Sequence, residues 1–297
     1  MGLKPTRARV TLGPRTFEGN AGLPVAHALT RSVRDCAVLL DCTAGPVLGD
    51  AYVAPRIERP FGASVGEPPG RLKIGFHTKP HHHVAIDPEC IRAVEEAAKL
   101  CEELGHMVEP YQPNIDGMLF QEINLVLWSA DNLLSLSPAV DVQRDLSDHP
   151  DLEWITSQIA ERAKRFSALD LAQARQKMHQ LSKAVAMPFA VYDLILSPVV
   201  RERPWKLGVY ESGFRTAEEY FSRVYDYSPF CWPYNLSGQP AISVPFHWTA
   251  EDLPIGVMFA SRYGDEATLI RVASQIELAR PWAGRKPRVV EPRSTDM

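Results

Sequence analysis

The 297-residue sequence contains no long apolar run. A membrane-spanning helix needs roughly 20 consecutive apolar residues, and no segment approaches that length. The first residues, 1–7, also lack the apolar core of a signal peptide. We therefore expect a protein that does not enter a membrane and that works in the cytoplasm.

An excess of positive charge is also missing. The chain has 32 Lys and Arg against 36 Asp and Glu, which gives a formal net charge of -4. Proteins that bind nucleic acids concentrate basic side chains to displace counterions from the phosphates. We therefore expect no nucleic-acid partner.

Cysteine is scarce and unpatterned. The five cysteines stand at positions 36, 42, 90, 101 and 231, an odd number without a Cys-x-x-Cys pair. This distribution favours reduced thiols over a disulfide framework or a zinc site. The hydrophobic fraction of 45% and the charged fraction of 23% are those of a globular chain that can bury a sizeable core.

Local motifs for catalysis or phosphate binding are absent as well. The sequence contains no Gly-x-Ser-x-Gly, Ser-x-x-Lys or His-Glu-x-x-His motif, and no Gly-x-Gly pair. These motifs place a nucleophile beside its base, a zinc ion beside its ligands or backbone N–H groups beside a phosphate. We therefore expect neither a metal nor another cofactor, although a triad assembled from distant residues stays open.

Hydrophobic periodicity predicts alternating strands and helices. A strand over 72–77, a helix from Asp87 to Leu104 and a strand over 106–109 would form a parallel crossover unit. Further helices are predicted over 33–44, after Thr216 and from Gly264-Asp265, and residues 117–187 are predicted to be mostly helical with a helix start at Ser167. Further strands are predicted over 193–196, short and buried, and over 241–246 and 254–260, which would pair as a hairpin. Residues 1–29 are predicted as loop and residues 280–297 as a polar tail. We therefore predict an α/β fold, a mixed β-sheet flanked by helices, in a single domain over residues 1–297.

An aromatic segment before the predicted hairpin is the candidate substrate pocket. Its candidate residues are Phe230, Cys231, Trp232, Tyr234 and Asn235. The three aromatic side chains fit either an apolar substrate cleft or ordinary core packing. Cys231 is either a small side chain in the pocket wall, which we favour, or a nucleophile, for which the sequence supplies no base.

A run of three histidines is the most conspicuous ionisable cluster. His81, His82 and His83 could join a metal site with Asp87, but consecutive residues rarely converge on one ion. A solvated loop is therefore favoured for them. The acidic pairs Glu102-Glu103 and Glu218-Glu219 are predicted to face water on helices.

Five segments, in this order, resemble the C-terminal portion of amidase signature hydrolases. They are Gly2-Leu-Lys-Pro-Thr-Arg-Ala-Arg-Val10 with Gly13-Pro14; Ala28-Leu-Thr-Arg-Ser-Val-Arg-Asp35 with Leu39-Leu-Asp41 and Ala44-Gly-Pro46; Pro69-Gly-Arg-Leu-Lys-Ile-Gly75 with Asp87-Pro88 and Leu104-Gly-His106; Tyr192-Asp-Leu-Ile-Leu-Ser-Pro198; and Phe230 through Tyr234-Asn-Leu-Ser-Gly-Gln-Pro-Ala-Ile-Ser-Val-Pro245 with Leu253-Pro-Ile-Gly-Val257 and Glu266. The last segment is the most distinctive, and the resemblance runs along nearly the whole chain.

The resemblance implies a mechanism whose catalytic residues this sequence does not contain. The family cleaves carboxamides with a Ser nucleophile, a second Ser bonded through a cis peptide, a Lys that accepts the proton and an oxyanion hole of backbone N–H groups. In the family these groups precede the segment that Gly2 begins, and Lys4 does not match the catalytic lysine. We therefore expect a truncated or split amidase that has no catalytic residue of its own and is inactive alone.

Within the family, two segments look most like bacterial amidases that act on cyclic or linear aminohexanoate-type amides. They are Tyr227-Ser-Pro-Phe230 and Ser261-Arg-Tyr-Gly-Asp-Glu266. The expected partners are a small amide substrate and either an N-terminal amidase half or a second copy of the chain. Two alternatives stay open: a non-catalytic ligand-binding or scaffolding remnant, and an independent activity that uses Cys231 or a histidine.

Overall fold

Six strands form one mixed sheet in the computed structural model, which describes residues 1–14, 16, 18–209 and 213–286. The strands are β1 (Gly2–Lys4), β2 (Lys73–Phe76), β3 (Met107–Pro110), β4 (Leu194–Pro198), β5 (Ala241–Trp248) and β6 (Pro254–Ser261). Their order in the sheet is β1-β5-β6-β4-β2-β3. β2 runs parallel to β3 and β4, whereas β6 runs antiparallel to β4 and β5. The predicted mixed sheet, crossover unit and hairpin are confirmed.

Eight α-helices flank the sheet in the described part of the chain. They are α1 (Val33–Thr43), α2 (Pro88–Glu103), α3 (Gly117–Leu136), α4 (Trp154–Ala163), α5 (Ala168–Ala186), α6 (Ala217–Tyr227), α7 (Trp232–Ser237) and α8 (Glu266–Ala279). Predicted helix starts are confirmed at Asp87, Ser167, Thr216 and Asp265, where each side chain accepts a hydrogen bond from a backbone N–H of the first turn. No helix among the described residues is long and apolar enough to cross a membrane.

Alternation along the central strands separates two hydrophobic cores. Val257 and Phe259 of β6 point into a core with α1, α2 and α8. Met258 and Ala260 point to the other side, into a core with α3, α5, α6 and α7. Successive strand residues face opposite sides of a sheet, so β6 serves both cores.

The prediction of a loop over residues 1–29 is wrong for the first residues. Gly2–Lys4 forms the edge strand β1 and pairs antiparallel with β5, with Leu3 opposite Ile242. The outer edge of β1 is itself bonded, because Met1 and Thr30 exchange hydrogen bonds. Three residues are too few to show a strand period, and the partner lies more than 230 residues away in the sequence.

In the described part of the predicted polar tail, residues 280–286, Trp282 packs against the fold and the other residues are exposed. Trp282 is buried and its indole Nε1 donates a hydrogen bond to the carbonyl of Arg31 at 2.7 Å. The rest of that prediction, residues 287–297, lies outside the described residues. The acidic pairs Glu102-Glu103 and Glu218-Glu219 are exposed on helices, as predicted.

A buried ion pair joins the segment after β1 to α8. Arg9 donates from Nε to Oε1 of Glu266 at 2.9 Å and from Nη2 to Oε2 at 3.1 Å, and the backbone N–H of Thr6 also donates to Oε1. The two side chains are 4% and 0% exposed. Burial alone would raise the pKa of Glu266, but the bonds from Arg9 and Thr6 hold it below its usual value.

The histidine run is not a solvated loop, and that prediction is wrong for two of its three residues. The His81 ring packs edge-on against Trp232, with centroids 5.3 Å apart, and the centroid of the His77 ring lies 5.6 Å from that of His81. The His82 side chain is 4% exposed and its Nε2 lies 3.1 Å from Asp226. His83 alone is exposed. The residues that the structure describes contain no cluster of His, Cys, Asp and Glu that could hold a metal ion.

Replacement of Glu266 by Ala should lower the free energy of unfolding by about 3–5 kcal/mol, because it leaves the Arg9 guanidinium buried without its counterion. Urea denaturation measures the change. The control is Glu103→Ala, which removes an exposed partner of Lys99 and should change stability little. Equal losses in the two variants would contradict the role given to the buried pair.

Stability should also fall in mild acid. Burial lowers the pKa of His77 to about 4 and that of His81 to about 3, from a usual value of 6.5. Below pH 6.5 the unfolded chain therefore binds more protons than the folded chain does. The stabilisation that comes from keeping these two histidines neutral is complete above pH 6.5 and is lost as the pH falls towards 4.

Denaturation of the wild-type protein and two variants between pH 7.5 and 5 checks this. His81→Phe keeps an aromatic ring against Trp232 and should show a smaller loss of stability with falling pH. His83→Gln, at the exposed position, should follow the wild type. An unchanged pH dependence in His81→Phe would refute the assignment.

Candidate functional site

A cavity of about 430 Å³ opens between α3, α6, α7 and the segment around Asn20–Pro24. Its lining residues are Asn20, Leu23, Pro24, Phe120, Asn124, Trp128, Asp131, Val224, Tyr225, Ser228, Cys231, Trp232 and Asn235. A larger groove of about 650 Å³, between Met1, Trp248 and Trp282, contains none of the predicted pocket residues. The first cavity is therefore the candidate site.

One face of α3 forms the longest wall of the cavity. Asp116 begins this helix by accepting a hydrogen bond from the backbone N–H of Leu119. Phe120, Asn124, Trp128 and Asp131 then follow at intervals of four, four and three residues. Such intervals place side chains on one helix face, so this wall presents aromatic, amide, aromatic and carboxylate groups in turn.

The short helix α7 forms the opposite wall. Pro233 lies in its first turn, and Gly238 ends it with a φ of 78°, a left-handed conformation that suits glycine. Trp232 stacks on Phe120, with the centroids 4.1 Å apart and the planes 9° apart. Asn235 donates from Nδ2 to the carbonyl of Leu23 at 2.8 Å, which fixes the neighbouring segment.

The structure separates the five predicted pocket residues into two groups. Cys231, Trp232 and Asn235 line the cavity. Phe230 is 1% exposed and packs near His77, so it belongs to the core. Tyr234 is also buried and lines a separate small cavity with His77, His81 and other residues. Whether any of the five contacts a substrate stays a prediction.

Cys231 has no activating base among the described residues. Its Sγ donates to the carbonyl of Val199 at 3.1 Å, and burial raises the pKa of the thiol to about 12. Ser228 likewise donates its hydroxyl to the carbonyl of Val224. Both groups are neutral hydrogen-bond donors to backbone, which favours the interpretation of Cys231 as a wall residue.

The hydrogen-bonding pair inside the cavity was not predicted from the sequence. Asn124 donates from Nδ2 to the hydroxyl of Tyr225 at 2.6 Å, and both residues are buried. Burial raises the pKa of Tyr225 to about 12, so the phenol stays protonated. An amide and a phenol in an aromatic cavity can pair with the oxygen and N–H of a bound amide, but they cannot act as a strong base. The four-residue spacing on α3 was the sequence signal for Asn124.

Two other polar contacts lie outside this cavity. The Sγ of Cys36 lies 3.4 Å from Nε2 of His27, but Cys36 is buried and burial raises its pKa to about 11. Lys4 donates to the carbonyl of Pro5, and burial lowers its pKa to about 7. Cys36 is therefore a poor nucleophile, because only a thiolate attacks readily and its raised pKa keeps it a thiol.

Comparison with known proteins gives the family. The profile of the family described as Amidase matches residues 1–270. The chain is 32% identical to the 6-aminohexanoate-cyclic-dimer hydrolase of Paenarthrobacter ureafaciens over 307 aligned positions, and the same enzyme of Pseudomonas sp. (strain NK87) is also 32% identical over 306. Each alignment covers 98% of this chain and 61% of the relative.

Solved structures agree with the sequence comparison. The structure of 6-aminohexanoate cyclic dimer hydrolase matches with a TM-score of 0.87 and 28% identity, over 96% of this chain and 61% of that chain. A bacterial aryl acylamidase of the amidase signature family matches in fold, with a TM-score of 0.79 and 19% identity over the same shares of the two chains.

The chain thus spans 61% of the length of these two hydrolases. The family profile covers most of its residues, and the α/β arrangement of the sheet and helices matches that of the solved relatives. The resemblance to amidase signature hydrolases is confirmed, and the chain belongs to the amidase family.

Proposed function

We propose that this chain provides the substrate-binding part of a hydrolase that cleaves carboxamide C–N bonds. The observation that supports this most directly is the hydrogen-bonded pair of Asn124 and Tyr225 within an aromatic cavity of about 430 Å³. A cavity of that size with a few placed polar groups suits a small organic ligand. Membership in the amidase family makes an amide the preferred ligand class.

The proposal includes a division of labour. Ser228 and Cys231, which have the aliphatic hydroxyl and the thiol in the cavity, donate to backbone carbonyls and have no described His or Lys partner. We therefore propose that this chain lacks the catalytic residues of the family and that hydrolysis requires a segment with the family's Ser-Ser-Lys residues. That segment would attack the bound carbonyl, release the amine and pass the acyl group to water.

A further part of the proposal concerns partners. The described residues contain one sheet whose two faces carry the two cores, which supports a single folding unit. The partner is proposed to be a polypeptide that carries the catalytic segment or a second copy of this chain. Large apolar side chains at the surface, Leu29, Leu48 and Leu207 among them, support an interaction of this kind.

Activity and binding should separate in the purified chain. We expect no hydrolysis of hexanamide by the chain alone, together with saturable quenching of tryptophan fluorescence, because Trp128 and Trp232 line the cavity. Asn124→Ala should weaken hexanamide binding by about five- to tenfold, the effect of one lost hydrogen bond. The control is Asn132→Ala, on the same helix but outside the cavity, which should bind as the wild type does.

Sequencing of the DNA upstream of the Met1 codon tests the proposal that a separate segment supplies the catalytic residues. We expect a Lys codon followed by a Gly-Gly-Ser-Ser-Gly-like run in one frame, and amide hydrolysis by the joined polypeptide. Hydrolysis by the chain alone would overturn the division of labour, and Cys231→Ser would then show whether that thiol is the nucleophile. Equal binding by the Asn124 and Asn132 variants would overturn the assignment of the cavity.

The partner proposal predicts the state of the isolated chain. We expect elution as an oligomer in size-exclusion chromatography, or enhanced fluorescence of a hydrophobic dye, because exposed apolar surface favours association. Leu48→Ser and Leu207→Ser should reduce the dye signal, since both side chains are fully exposed. A monomer that binds no dye and unfolds in a two-state transition would argue against a missing partner.

A further inference from the structure

His81 contacts both walls of the cavity, although it is not one of the residues that line it. Its ring packs edge-on against Trp232 of α7, with the centroids 5.3 Å apart. Its carbonyl accepts a hydrogen bond at 3.1 Å from the backbone N–H of Gly117, the first residue of α3. Trp232 in turn stacks on Phe120 of α3. One residue thus supports α7 through its ring and α3 through its backbone.

The contact with α3 is close enough to require glycine. A Cβ atom at position 117 would lie 2.5 Å from the carbonyl oxygen of His81, closer than such atoms approach without a clash. The segment over 79–84 is therefore seated directly on the start of the helix that carries Phe120 and Asn124. Its displacement would leave the Gly117 N–H without its acceptor and Trp232 without its edge contact.

The titratable side chains around the His81 ring are neutral. His77, Tyr111 and Tyr234 line the small cavity beside it, together with apolar side chains of α5, of the segment after α5 and of β4. Burial raises the pKa values of both tyrosines, so they stay protonated phenols. His82 follows in the chain and adds another imidazole.

The acidic groups of the neighbouring elements are bonded to other partners. The carboxylate of Asp226 on α6 lies 3.1 Å from Nε2 of His82. Asp116, which begins α3, accepts a hydrogen bond from the backbone N–H of Leu119. Lys79, the basic residue of the same segment, is exposed. A proton on His81 would therefore create a buried cation without a counterion.

The packed ring is neutral for this reason. Burial, together with the imidazoles of His77 and His82, lowers the pKa of His81 to about 3. Its Nδ1 is buried without a hydrogen-bond partner in the described structure. An imidazole in water has a pKa of about 6.5, so at pH 5 proton binding favours a ring in water over the packed ring by roughly 30-fold more than at neutral pH.

We propose that His81 is a positioning residue for the cavity, and that mild acid weakens ligand binding by drawing the protonated ring away from Trp232. This inference rests on the proposed function of the cavity. Departure of the ring carries the segment over 79–84 off Gly117, so the stacked pair of Trp232 and Phe120 loses its support on both helices. The cavity then binds ligand only in the fraction of molecules that keep the ring packed.

Titration calorimetry of the full chain with hexanamide at pH 7.5 and pH 5 tests this, at a temperature at which far-UV circular dichroism shows a folded chain at both values. Hexanamide has no group that titrates in this range. We expect about threefold weaker binding at pH 5, which corresponds to release of the ring in about two-thirds of the molecules. His81→Phe, which keeps an aromatic ring and cannot bind a proton, should bind equally at both pH values.

Two further variants complete the comparison. His83→Gln is the matched control, because His83 is exposed in the same segment, and it should lose affinity as the wild type does. His81→Leu, which also cannot bind a proton, takes the place of His81→Phe if that variant does not fold. Other titratable groups of the cavity, Asp131 among them, are unchanged in all variants, so their effect cancels.

Hydrogen exchange gives a measurement without ligand. After correction for the intrinsic pH dependence of exchange, the N–H of Gly117 should lose protection at pH 5 in the wild type and keep it in His81→Phe. Equal changes with pH in these two proteins, in binding or in exchange, would overturn the inference. If hexanamide binds at neither pH, the proposed function fails, and the exchange of Gly117 alone decides whether acid releases His81.

Discussion

The buried pair of Arg9 and Glu266 is the contact on which the geometry of the cavity depends. It fixes the segment after β1 to the first turn of α8, where Thr6 adds a bond to the same carboxylate and accepts one from Gly264. Arg7, two residues before Arg9, then holds the carbonyls of Gly22 and Asn235. The ion pair thus positions, through Arg7, two walls of the cavity: the segment at Gly22 and the helix α7 that contains Asn235.

Hydrogen bonds rather than apolar packing make this link. Arg7 has several N–H donors in a fixed plane and can therefore hold carbonyls from two separate segments at once. Asn235 completes the link by donating to the carbonyl of Leu23. The segment around residue 20 has little regular structure, and Asn20 and Ala21 have positive φ angles. Its shape is set by its own turn bonds, from Gly22 to Gly19 and from Leu23 to Asn20, together with the contacts from Arg7 and Asn235.

The sequence was informative where structure depends on nearby residues. The cap at Ser167, the hairpin of β5 and β6 and the crossover unit around α2 follow from periodicity and turn chemistry, and all are confirmed. Three of the five predicted pocket residues line the cavity, because α7 is a continuous segment whose aromatic character is visible in the sequence. β1 was missed, since a three-residue strand has no period.

Contacts between distant segments explain the remaining differences. The burial of His81 is set by Trp232, which lies 151 positions further on and could not be paired with it from spacing. In the sequence, Asp131 cannot be told apart from any exposed carboxylate on a helix. The contact with the backbone N–H of Asn20 is visible only in the structure. The pairing at the outer edge of β1 has a different consequence. Because Met1 and Thr30 already bond to each other there, these backbone groups are not open to an incoming strand, which disfavours fibrous growth by edge-to-edge addition at this side of the sheet.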